Sequence, residues 1–479
     1  MRYAVPVNAA DEVGVLASAG ADELYCGYQD AWWVKRYGDH DSASRRQGAA
    51  NFATLEDLGR CVEGARVHGL PVWLALNARY TEPQLDRLVW LCRRFEAMGG
   101  TGIIASDLGL FWRLRSGTGL RRCLSLLAVA QNVQTLLAYQ RLGISRVVLP
   151  RFVGADEAAR LIGAVPGMEA ECMAFFDKCP WVDGYCRHRH GVTYPTREAP
   201  EGADDAPPLY TFDTTYQTHA CLGRACTYLE PYPCAACFLP RYERAGVGVA
   251  KLGGRGRSLD ERLHALRFLR TAEGLGSDDA RARLYRKTFD DPCACYYGDT
   301  IQQRSSIQPV EEPEWARVVA MLGSQTDRDS YRQALGLLMA GNADGVGPWG
   351  LLVPPLSEDD LEELMAAVPH LSERFGERLV LYVNDLGTMV ALARMPAVAR
   401  DGCTIGVGTL LARTDDPKMV ARALDPRLNP SRAVWTPDGM PRMLTYREPP
   451  RELVTHWRNP SLFEHSAQEA LRMLISGEE

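Results

Sequence analysis

Six of the fourteen cysteines in this chain fall within one short stretch, and this crowding limits what the stretch can form. Their neighbours are Pro, Gly, Tyr, Arg and His rather than a run of aliphatic residues, so these thiols are not needed to fill a core. A dense set of soft ligands of this kind predicts a metal site. The six cysteines are at positions 179, 186, 221, 226, 234 and 237.

The spacing of these cysteines bears on the kind of metal. Six residues separate the first two, four the next two, and two the last two. Four converging thiolates suit either tetrahedral zinc or an iron–sulfur cluster. The close last pair is typical of zinc, whereas the six-residue gap favours a cluster, whose ligands bind different iron atoms. The spacing favours iron–sulfur but leaves zinc open, with buried thiols or disulfides as the remaining alternatives.

Composition places the chain among soluble enzymes. With 479 residues it is long enough for two domains. A formal net charge of −6 gives no global attraction to nucleic acid, although a local basic face remains compatible with it. The N-terminus lacks the features of a secretory signal, and no apolar run of about 18 residues predicts a membrane span. We therefore expect a cytoplasmic protein whose cysteines are reduced.

The first part of the chain alternates short apolar strands with amphipathic helices. Parallel strands need crossover helices, so this alternation predicts a (β/α)8 TIM-like barrel or a distorted version of one, over residues 1–300, with the Cys-rich region at 172–237. A smaller C-terminal α/β module is expected over residues 310–479, with helices at 359–368 and 418–424. The predicted strands are 3–7, 23–26, 72–76, 102–105, 146–149, 168–176 and 248–252 in the barrel, and 351–353, 379–383 and 404–407 in the module.

Polar residues at strand ends mark the mouth where barrel enzymes hold their sites. Asn77 follows one predicted strand, and Glu171 lies in another that leads directly to Cys179. Asp107 and Asp385 each open an Asp-Leu-Gly sequence after a strand, which favours helix N-caps over site residues. This echo suggests a partial barrel-like repeat in the second module.

Several motifs in order along residues 1 to 275 resemble the peptidase U32 family. That family includes collagenase-like proteases and oxygen-independent hydroxylases of ubiquinone synthesis, tRNA and rRNA. The motifs are Ala21-Asp22-Glu23-Leu24-Tyr25, Ser106-Asp107-Leu108-Gly109, Arg146-Val147-Val148-Leu149-Pro150, Glu171 eight residues before Cys179, Gly184-Tyr185-Cys186, and the glycine-rich stretch from Gly246 through Lys251 to Arg255.

The resemblance implies a barrel with a [4Fe-4S] cluster on four cysteines, and hydroxylase members that use prephenate as oxygen donor. By position, Cys179 and Cys186 match the six-residue pair of the family. Cys221 and Cys234 match its two further ligands, while Cys226 and Cys237 remain alternatives to them.

The chain also departs from the family pattern at two positions. Phe175 stands where the family usually has His, and Gly253 stands where it usually has Glu. Both losses remove groups that hydrolysis would use, which weakens the peptidase interpretation. Cys293 and Cys295 lie outside the pattern.

We therefore expect a redox enzyme that hydroxylates or otherwise modifies a small molecule or a peptide. Glu171, Asn77 and Lys251 are the catalytic candidates, and Lys251, Arg255 and Arg257 would bind an anionic donor such as prephenate. The same residues also fit simple caps and a solvated basic loop. A metal-dependent peptidase and an RNA-modifying hydroxylase are the alternatives, and a heterodimer with a protein of the same family is a further expectation.

Overall fold

The structure is a computed structural model that describes most of the barrel and parts of the second module. Three of the four expected ligands, Cys179, Cys186 and Cys221, lie outside the described residues, as do Cys226, Cys293 and the predicted helix 418–424. The described residues are 1–37, 42–46, 48–177, 232–289, 295–297, 326–340, 349–376, 379–395, 404–407, 434–435, 441–442 and 465–477.

Eight parallel strands close into a barrel, which confirms the predicted (β/α)8 fold. The neighbours run β1-β9-β8-β7-β6-β5-β4-β2, and β1 also pairs with β2 to close the ring, while the short β3 extends from β2. The strands are β1 Arg2–Pro6, β2 Glu23–Tyr28, β3 Asn51–Phe52, β4 Val72–Leu76, β5 Gly102–Ala105, β6 Arg121–Leu124, β7 Arg146–Val148, β8 Glu169–Phe175 and β9 Val249–Leu252.

Helices surround the barrel, and hydroxyl side chains cap several of them. The Thr54 side chain accepts a hydrogen bond from the Asp57 amide, as the sequence predicts, and Thr81 and Ser258 form capping boxes. No described helix is long and apolar enough to cross a membrane. The helices are α1 Val13–Ser18, α2 Ala31–Tyr37, α3 Leu55–Val67, α4 Glu82–Ala97, α5 Leu108–Leu114, α6 Val133–Arg141, α7 Ala155–Ala164, α8 Leu239–Arg244, α9 Leu259–Glu273 and α10 Asp278–Phe289.

Strand β6 completes the barrel without a hydrophobic signal in the sequence. It begins with two arginines, and the Arg122 guanidinium is buried where it donates to the carbonyls of Leu142 and Leu114 at 3.2 and 2.5 Å. Backbone carbonyls thus accept hydrogen bonds from both terminal nitrogens of a charged side chain that strand patterns would place in solvent, while its Nε has no partner among the described residues. This strand is therefore absent from the sequence prediction.

The second module contains a three-stranded parallel sheet in the order β10-β11-β12. Helix α12 continues through Pro369, seven residues beyond the predicted end at 368, so the predicted boundary is wrong. The domain limits 1–300 and 310–479 stay predictions. The elements are α11 Thr326–Ala340, β10 Trp349–Val353, α12 Glu358–Phe375, β11 Leu379–Val383, α13 Leu386–Arg394, β12 Thr404–Val407, β13 Val434–Trp435, β14 Pro441–Arg442 and α14 His465–Ser476.

Asp385 joins the second module to the barrel. Its carboxylate accepts from the Thr388 amide at 2.8 Å, which confirms the N-cap prediction for α13. The same Oδ1 accepts from Thr135 Oγ1 at 3.0 Å and from Asn132 Nδ2 at 3.2 Å, both at the start of α6. A Cβ at Gly387 would collide with Thr135, so the glycine permits this close approach.

The other Asp-Leu-Gly sequence is also at a docking point. Asp107 caps α5 through the Leu110 amide at 2.8 Å, so the N-cap prediction holds here too. Helix α14 packs on α5, and a Cβ at Gly109 would lie 3.3 Å from the Ala467 amide nitrogen. Each of the two Asp-Leu-Gly sequences therefore begins a helix against which another element packs.

We expect Asp385→Ala to destabilise the protein by about 2 to 4 kcal/mol. The change removes a cap and the acceptor of the buried Thr135 hydroxyl, and it leaves Asn132 Nδ2 with only the Leu356 carbonyl as acceptor. Thermal and urea unfolding of the full chain would measure the loss. Asp359→Ala is the control, because its ion pair with Arg160 is exposed and should change stability by about 0.5 kcal/mol or less. Equal effects of the two variants would contradict the docking role.

Candidate active site at the barrel mouth

Four charged side chains of alternating sign run through the barrel interior. Arg146 on β7 donates to both oxygens of Glu23 on β2, at 2.6 and 2.9 Å. Lys251 Nζ on β9 donates to Glu171 Oε1 on β8 at 2.7 Å. Arg146 Nη1 lies 3.6 Å from Glu171 Oε2, which links the two pairs into one chain, the interior charge ladder. The ladder brings together Glu171 and Lys251, two of the three predicted catalytic residues.

Aromatic rings line this ladder. The Arg146 guanidinium lies 4.3 Å from the Trp73 ring centroid, and Trp73 Nε1 donates to Glu23 at 2.9 Å. Burial acts to raise the pKa of Glu23, but hydrogen bonds and the charge of Arg146 outweigh it and hold that pKa below its ordinary value. Lys251 Nζ lies 4.2 Å from the Tyr25 ring, whose hydroxyl donates to the Leu252 carbonyl at 2.6 Å. Each side chain of the ladder therefore has a hydrogen-bond partner of opposite formal charge.

Above the ladder, at the carboxyl ends of the strands, a second charge cluster forms the mouth. Asp177, just after β8, accepts from Arg46 Nη2 and from the Gly254 amide, both at 2.6 Å. Arg46 Nη1 donates to the Arg255 carbonyl at 3.0 Å, and Arg255 Nη2 donates to the Ser44 carbonyl at 2.8 Å. The segment after α2 thus packs against the loop after β9.

Asp177 restores a carboxylate that the family pattern places elsewhere. Its backbone and that of Phe176 are left-handed, with φ of 53° and 59°, which turns the Asp177 side chain toward Gly253. A Cβ at Gly253 would lie 2.8 Å from Asp177 Oδ2 and 3.0 Å from its Cγ. Asp177, which follows β8, therefore occupies the space that a side chain at position 253 would fill.

Arginines outnumber carboxylates at this cluster. Burial opposes ionisation of Asp177, yet Arg46, the Gly254 amide, Arg257 and Arg151 together lower its pKa. Burial, and then the nearby charge of Arg46, lower the pKa of Arg255 to about 10. A guanidinium destabilised in this way gains from any anion that approaches it.

Arg255 also has a donor that the described residues do not satisfy. Its side chain is only 6% exposed, and Nη1 has no hydrogen-bond partner within the described part of the chain. Nη1 lies close to Gly27 and Asn51 on the mouth side of β2 and β3, where a Cβ at position 27 would collide with it. A buried, unsatisfied guanidinium nitrogen is costly, and a bound acceptor would offset that cost.

The other predicted site residues have different surroundings. Arg257 lies at the rim, where its guanidinium pairs with Glu261 at 2.8 Å and stacks 4.6 Å from the Phe176 ring. Asn77 follows β4, and its buried Oδ1 has no partner among the described residues, which suits a ligand-facing amide better than a cap. Asn77 is not part of the interior charge ladder.

The Cys-rich excursion leaves and re-enters the barrel at this mouth. Phe175, the last residue of β8, forms an antiparallel bridge with Cys234, and the Ala235 amide donates to the Ala174 carbonyl at 2.9 Å. Phe175 is fully buried and its ring packs 5.4 Å from Phe289, which also stacks on Tyr232 at 4.9 Å. Where the family usually has His, this chain therefore has an aromatic anchor that pins both ends of the excursion.

Cys234 is the one expected cysteine ligand that the structure describes. It is buried, which raises the pKa of its thiol, and its Sγ accepts a hydrogen bond from the Ala236 amide at 3.3 Å. Such amide donors stabilise metal-bound thiolates. Within the described residues, no group of three or more His, Cys, Asp or Glu side chains is arranged to hold a metal ion.

Sequence reasoning did not select Arg46, Asp177, Arg146 or Glu23 as site residues. Glu23 and Arg146 lie in the family motifs, but only the closed barrel shows that they contact Glu171 and its partner. Arg46 lies in a polar segment between α2 and β3, and Asp177 precedes the cysteines without a spacing signal. The pairs Glu23–Arg146 and Arg46–Asp177 each join residues that are more than 100 positions apart in the sequence.

The fold and the mouth define a (β/α)8 barrel protein with an ionic interior and an arginine-rich mouth at the carboxyl ends of its strands. Residues 8–287 match the family model of Peptidase family U32. Since this match covers more than half of the chain, the protein belongs to the peptidase U32 family.

The chain is similar to two further proteins. The chain is 28% identical over 178 residues to the tRNA hydroxylation protein P of Escherichia coli strain K12, a match that spans 36% of each protein. The chain thus spans about a third of the length of this curated relative. A solved structure of the U32 peptidase Mk0906 is 13% identical, with 53% of this chain and 93% of that one covered and a TM-score of 0.32.

The stability contributed by Asp177 should depend on pH. Because its folded pKa lies below the ordinary value of about 3.9, the ionised form stabilises the protein above that value, and this contribution is lost as the pH falls through the lowered folded pKa. We expect Asp177→Asn to cost about 1 to 3 kcal/mol at pH 7 and much less near pH 3. Urea unfolding at the two pH values would measure both. Glu63→Gln, in an exposed pair with Arg66, should have little effect at either pH, and a pH-independent loss for Asp177→Asn would contradict the assignment.

Proposed function

We propose that this protein is an iron–sulfur enzyme of the U32 type that hydroxylates, or otherwise modifies by redox chemistry, a small molecule or a peptide. Prephenate is the proposed oxygen donor. One observation carries the proposal: the cysteine-rich excursion begins and ends at the mouth that holds the Lys251–Glu171 pair and the arginine cluster.

The position of the excursion supports a thiolate-bound cluster at the mouth. Cys234 forms a backbone bridge with Phe175, and Cys179 follows Asp177 by two residues of chain, which span at most about 7 Å. A buried thiol with an amide donor fits a cluster ligand better than a neutral core residue. We assign Cys179, Cys186, Cys221 and Cys234 as the ligands of a [4Fe-4S] cluster. Such a cluster supplies electrons one at a time, or an iron with an open position.

The arginine cluster supports an anionic co-substrate. Arg255 offers an unsatisfied buried donor, and Arg46 adds positive charge beside it. A carboxylate bound to Arg255 would be held by a charge-assisted hydrogen bond in a site that excludes water. Arg257 already pairs with Glu261, so we assign it a weaker role at the rim.

Lys251 and Glu171 are the groups that could hold or move a proton beside that anion. Their hydrogen bond of 2.7 Å lies at the mouth end of the ladder, where the Lys251 side chain remains 9% exposed. The rest of the ladder fixes Glu171 in place, because Arg146 contacts its second oxygen. Asn77, with its unsatisfied Oδ1, would accept a hydrogen bond from the substrate.

Two alternatives remain as proposals with their own support. The name of the relative, tRNA hydroxylation protein P, supports a hydroxylase-type role and an RNA substrate. The family description supports a metal-dependent peptidase. Phe175 is buried in an aromatic cluster where the family usually has His, which favours the redox proposal over hydrolysis.

Iron and sulfide analysis tests the redox proposal. Protein purified without oxygen should be brown, bleach with dithionite and contain about four iron and four sulfide ions per chain. Cys234→Ser should lose most of this iron, because the variant removes one ligand. A colourless protein that holds zinc would instead support the peptidase alternative.

Binding of prephenate tests the assigned anion site. We expect Arg255→Met to weaken prephenate binding about tenfold or more, as for the loss of a hydrogen bond to a charged group. Isothermal titration calorimetry would compare it with Arg257→Met, which should weaken binding about threefold or less because Arg257 is committed to Glu261. Equal losses would contradict the distinction, and tight binding of RNA without prephenate binding would favour the RNA-modifying alternative.

A further inference from the structure

Three uncharged polar side chains follow three neighbouring strands at the barrel mouth. The strand register aligns the last residues of β4, β5 and β6 with one another. The next residues are Asn77, Ser106 and Ser125, and the Ser125 amide donates to the Ala105 carbonyl at 2.7 Å, so β5 and β6 remain paired at this level. These three residues therefore lie side by side at a spacing of about 4.8 Å, and we call them the neutral row.

The alternation of side chains along each strand directs the neutral row into the barrel. The residues four positions before its members are Trp73, Gly102 and Arg121. Trp73 donates to Glu23 of the interior charge ladder, a Cβ at Gly102 would collide with the Trp73 ring, and the Arg121 guanidinium lies 5.2 Å from the centroid of that ring. Residues an even number of positions apart on a strand share a face, so the neutral row also faces the barrel interior.

The neutral row has hydrogen-bonding groups that the described residues leave unused. Asn77 Oδ1 is buried and has no partner there. The Ser106 side chain is 7% exposed, and its hydroxyl likewise has no partner among the described residues. The Ser125 hydroxyl accepts a long bond of 3.4 Å from the Leu127 amide, which leaves its own O–H able to donate. Polar groups in this state gain free energy from a ligand that pairs with them.

The neutral row and the arginine cluster occupy different parts of the mouth. Arg255 follows β9 and reaches β2 at Gly27, whereas the row occupies the next three strands around the ring, β4, β5 and β6. Beyond Ser125, the register leads through Val148 on β7 to Glu171 on β8. Two strand spacings, or about 10 Å along the barrel wall, separate Ser125 from Glu171. A molecule held by the row would therefore lie close to the Lys251–Glu171 pair.

The donors and acceptors of the neutral row fit an uncharged amide group. Asn77 Oδ1 requires a donor, which a carboxylate lacks, and the two serine hydroxyls can donate to a carbonyl oxygen. The row itself contains no charged side chain that would pair with a bound carboxylate or ammonium group. An amide supplies both an N–H donor and a carbonyl acceptor without a charge.

We propose that Asn77, Ser106 and Ser125 form a subsite that binds an uncharged amide group of the molecule that this protein modifies. This inference rests on the proposed function, because it takes the arginine cluster as the site of the anionic co-substrate. It adds Ser106 and Ser125 to the site. It also divides the mouth into a charged part for the co-substrate and a neutral part for the molecule to be modified.

Binding of N-acetylglycinamide, a neutral diamide, tests this subsite. Titrations followed by nuclear magnetic resonance would give its dissociation constant for the full chain, for Ser106→Ala and for the control Ser18→Ala, whose hydroxyl is on the exposed side of α1. We expect Ser106→Ala to weaken binding about threefold or more, as for the loss of one neutral hydrogen bond, and Ser18→Ala to match wild type. No measurable binding to wild type, or equal affinity for Ser106→Ala, would overturn the proposal.

A second readout separates a ligand contact from a packing effect. The Ser106 hydroxyl has no partner to lose among the described residues, so Ser106→Ala should keep the melting temperature of wild type. Asn77→Leu, which removes the amide at similar volume, should also weaken binding of the diamide. Loss of diamide binding that is accompanied by an equal loss of prephenate binding in Ser106→Ala would show general damage to the mouth and overturn the proposal.

Prephenate titrations distinguish failure of this inference from failure of the proposed function. We expect Ser106→Ala to bind prephenate as wild type does, and Arg255→Met to bind the diamide as wild type does. A wild-type protein that binds the diamide through Ser106 but not prephenate would overturn the proposed co-substrate and support the subsite. A wild-type protein that binds prephenate but not the diamide would support the co-substrate and overturn the subsite.

Discussion

The interior charge ladder is the constraint on which the rest of the barrel depends. Four buried charges from β2, β7, β8 and β9 pair with one another, and Glu23 and Arg146 have further partners in Arg2 and Glu169. Removal of one charge would unbalance this network in a low-dielectric interior. An apolar core could fill the same space more cheaply, since buried ion pairs seldom add net stability. The ladder instead fixes the register of four strands and places an ammonium group at the mouth. Ionic interiors of this kind cluster at functional sites.

The mouth shows how one member of the family can change residues without losing its charge pattern. Gly253 removes a carboxylate from the loop after β9, and Asp177 brings one back from β8 through two left-handed residues. Phe175 packs its buried ring against Phe289, so an aromatic side chain without a titratable group anchors the end of β8. The carboxylate therefore stays at the barrel mouth, although a different position in the sequence supplies it.

Much of the fold could be predicted from the sequence because parallel strands are nearly continuous apolar runs. Strands β4 and β5 match their predicted limits, and caps at Thr54, Asp107 and Asp385 follow from local chemistry. Strand β6 was not predicted because its Arg122 side chain is buried, with its terminal nitrogens donating to the carbonyls of Leu114 and Leu142 at the ends of α5 and α6.

The site was predictable only in part, for a related reason. Lys251 and Glu171 follow from family motifs, and their pairing agrees with their place on adjacent strands. Arg46 and Asp177 meet across 131 residues, and no local pattern encodes a contact of that range. The contacts between the ladder residues likewise form only when the barrel closes, so the sequence did not predict them.

The bridge between Phe175 and Cys234 has an evolutionary consequence. The bridge holds the two ends of the excursion within one strand spacing of each other. The excursion is therefore a closed loop whose ends are fixed on the barrel. The entropy of closing such a loop rises only with the logarithm of its length, by about 0.6 kcal/mol for each doubling. Insertions and deletions between these residues should therefore cost the barrel little, and lineages are free to remodel that stretch for new substrates while the scaffold beneath stays the same.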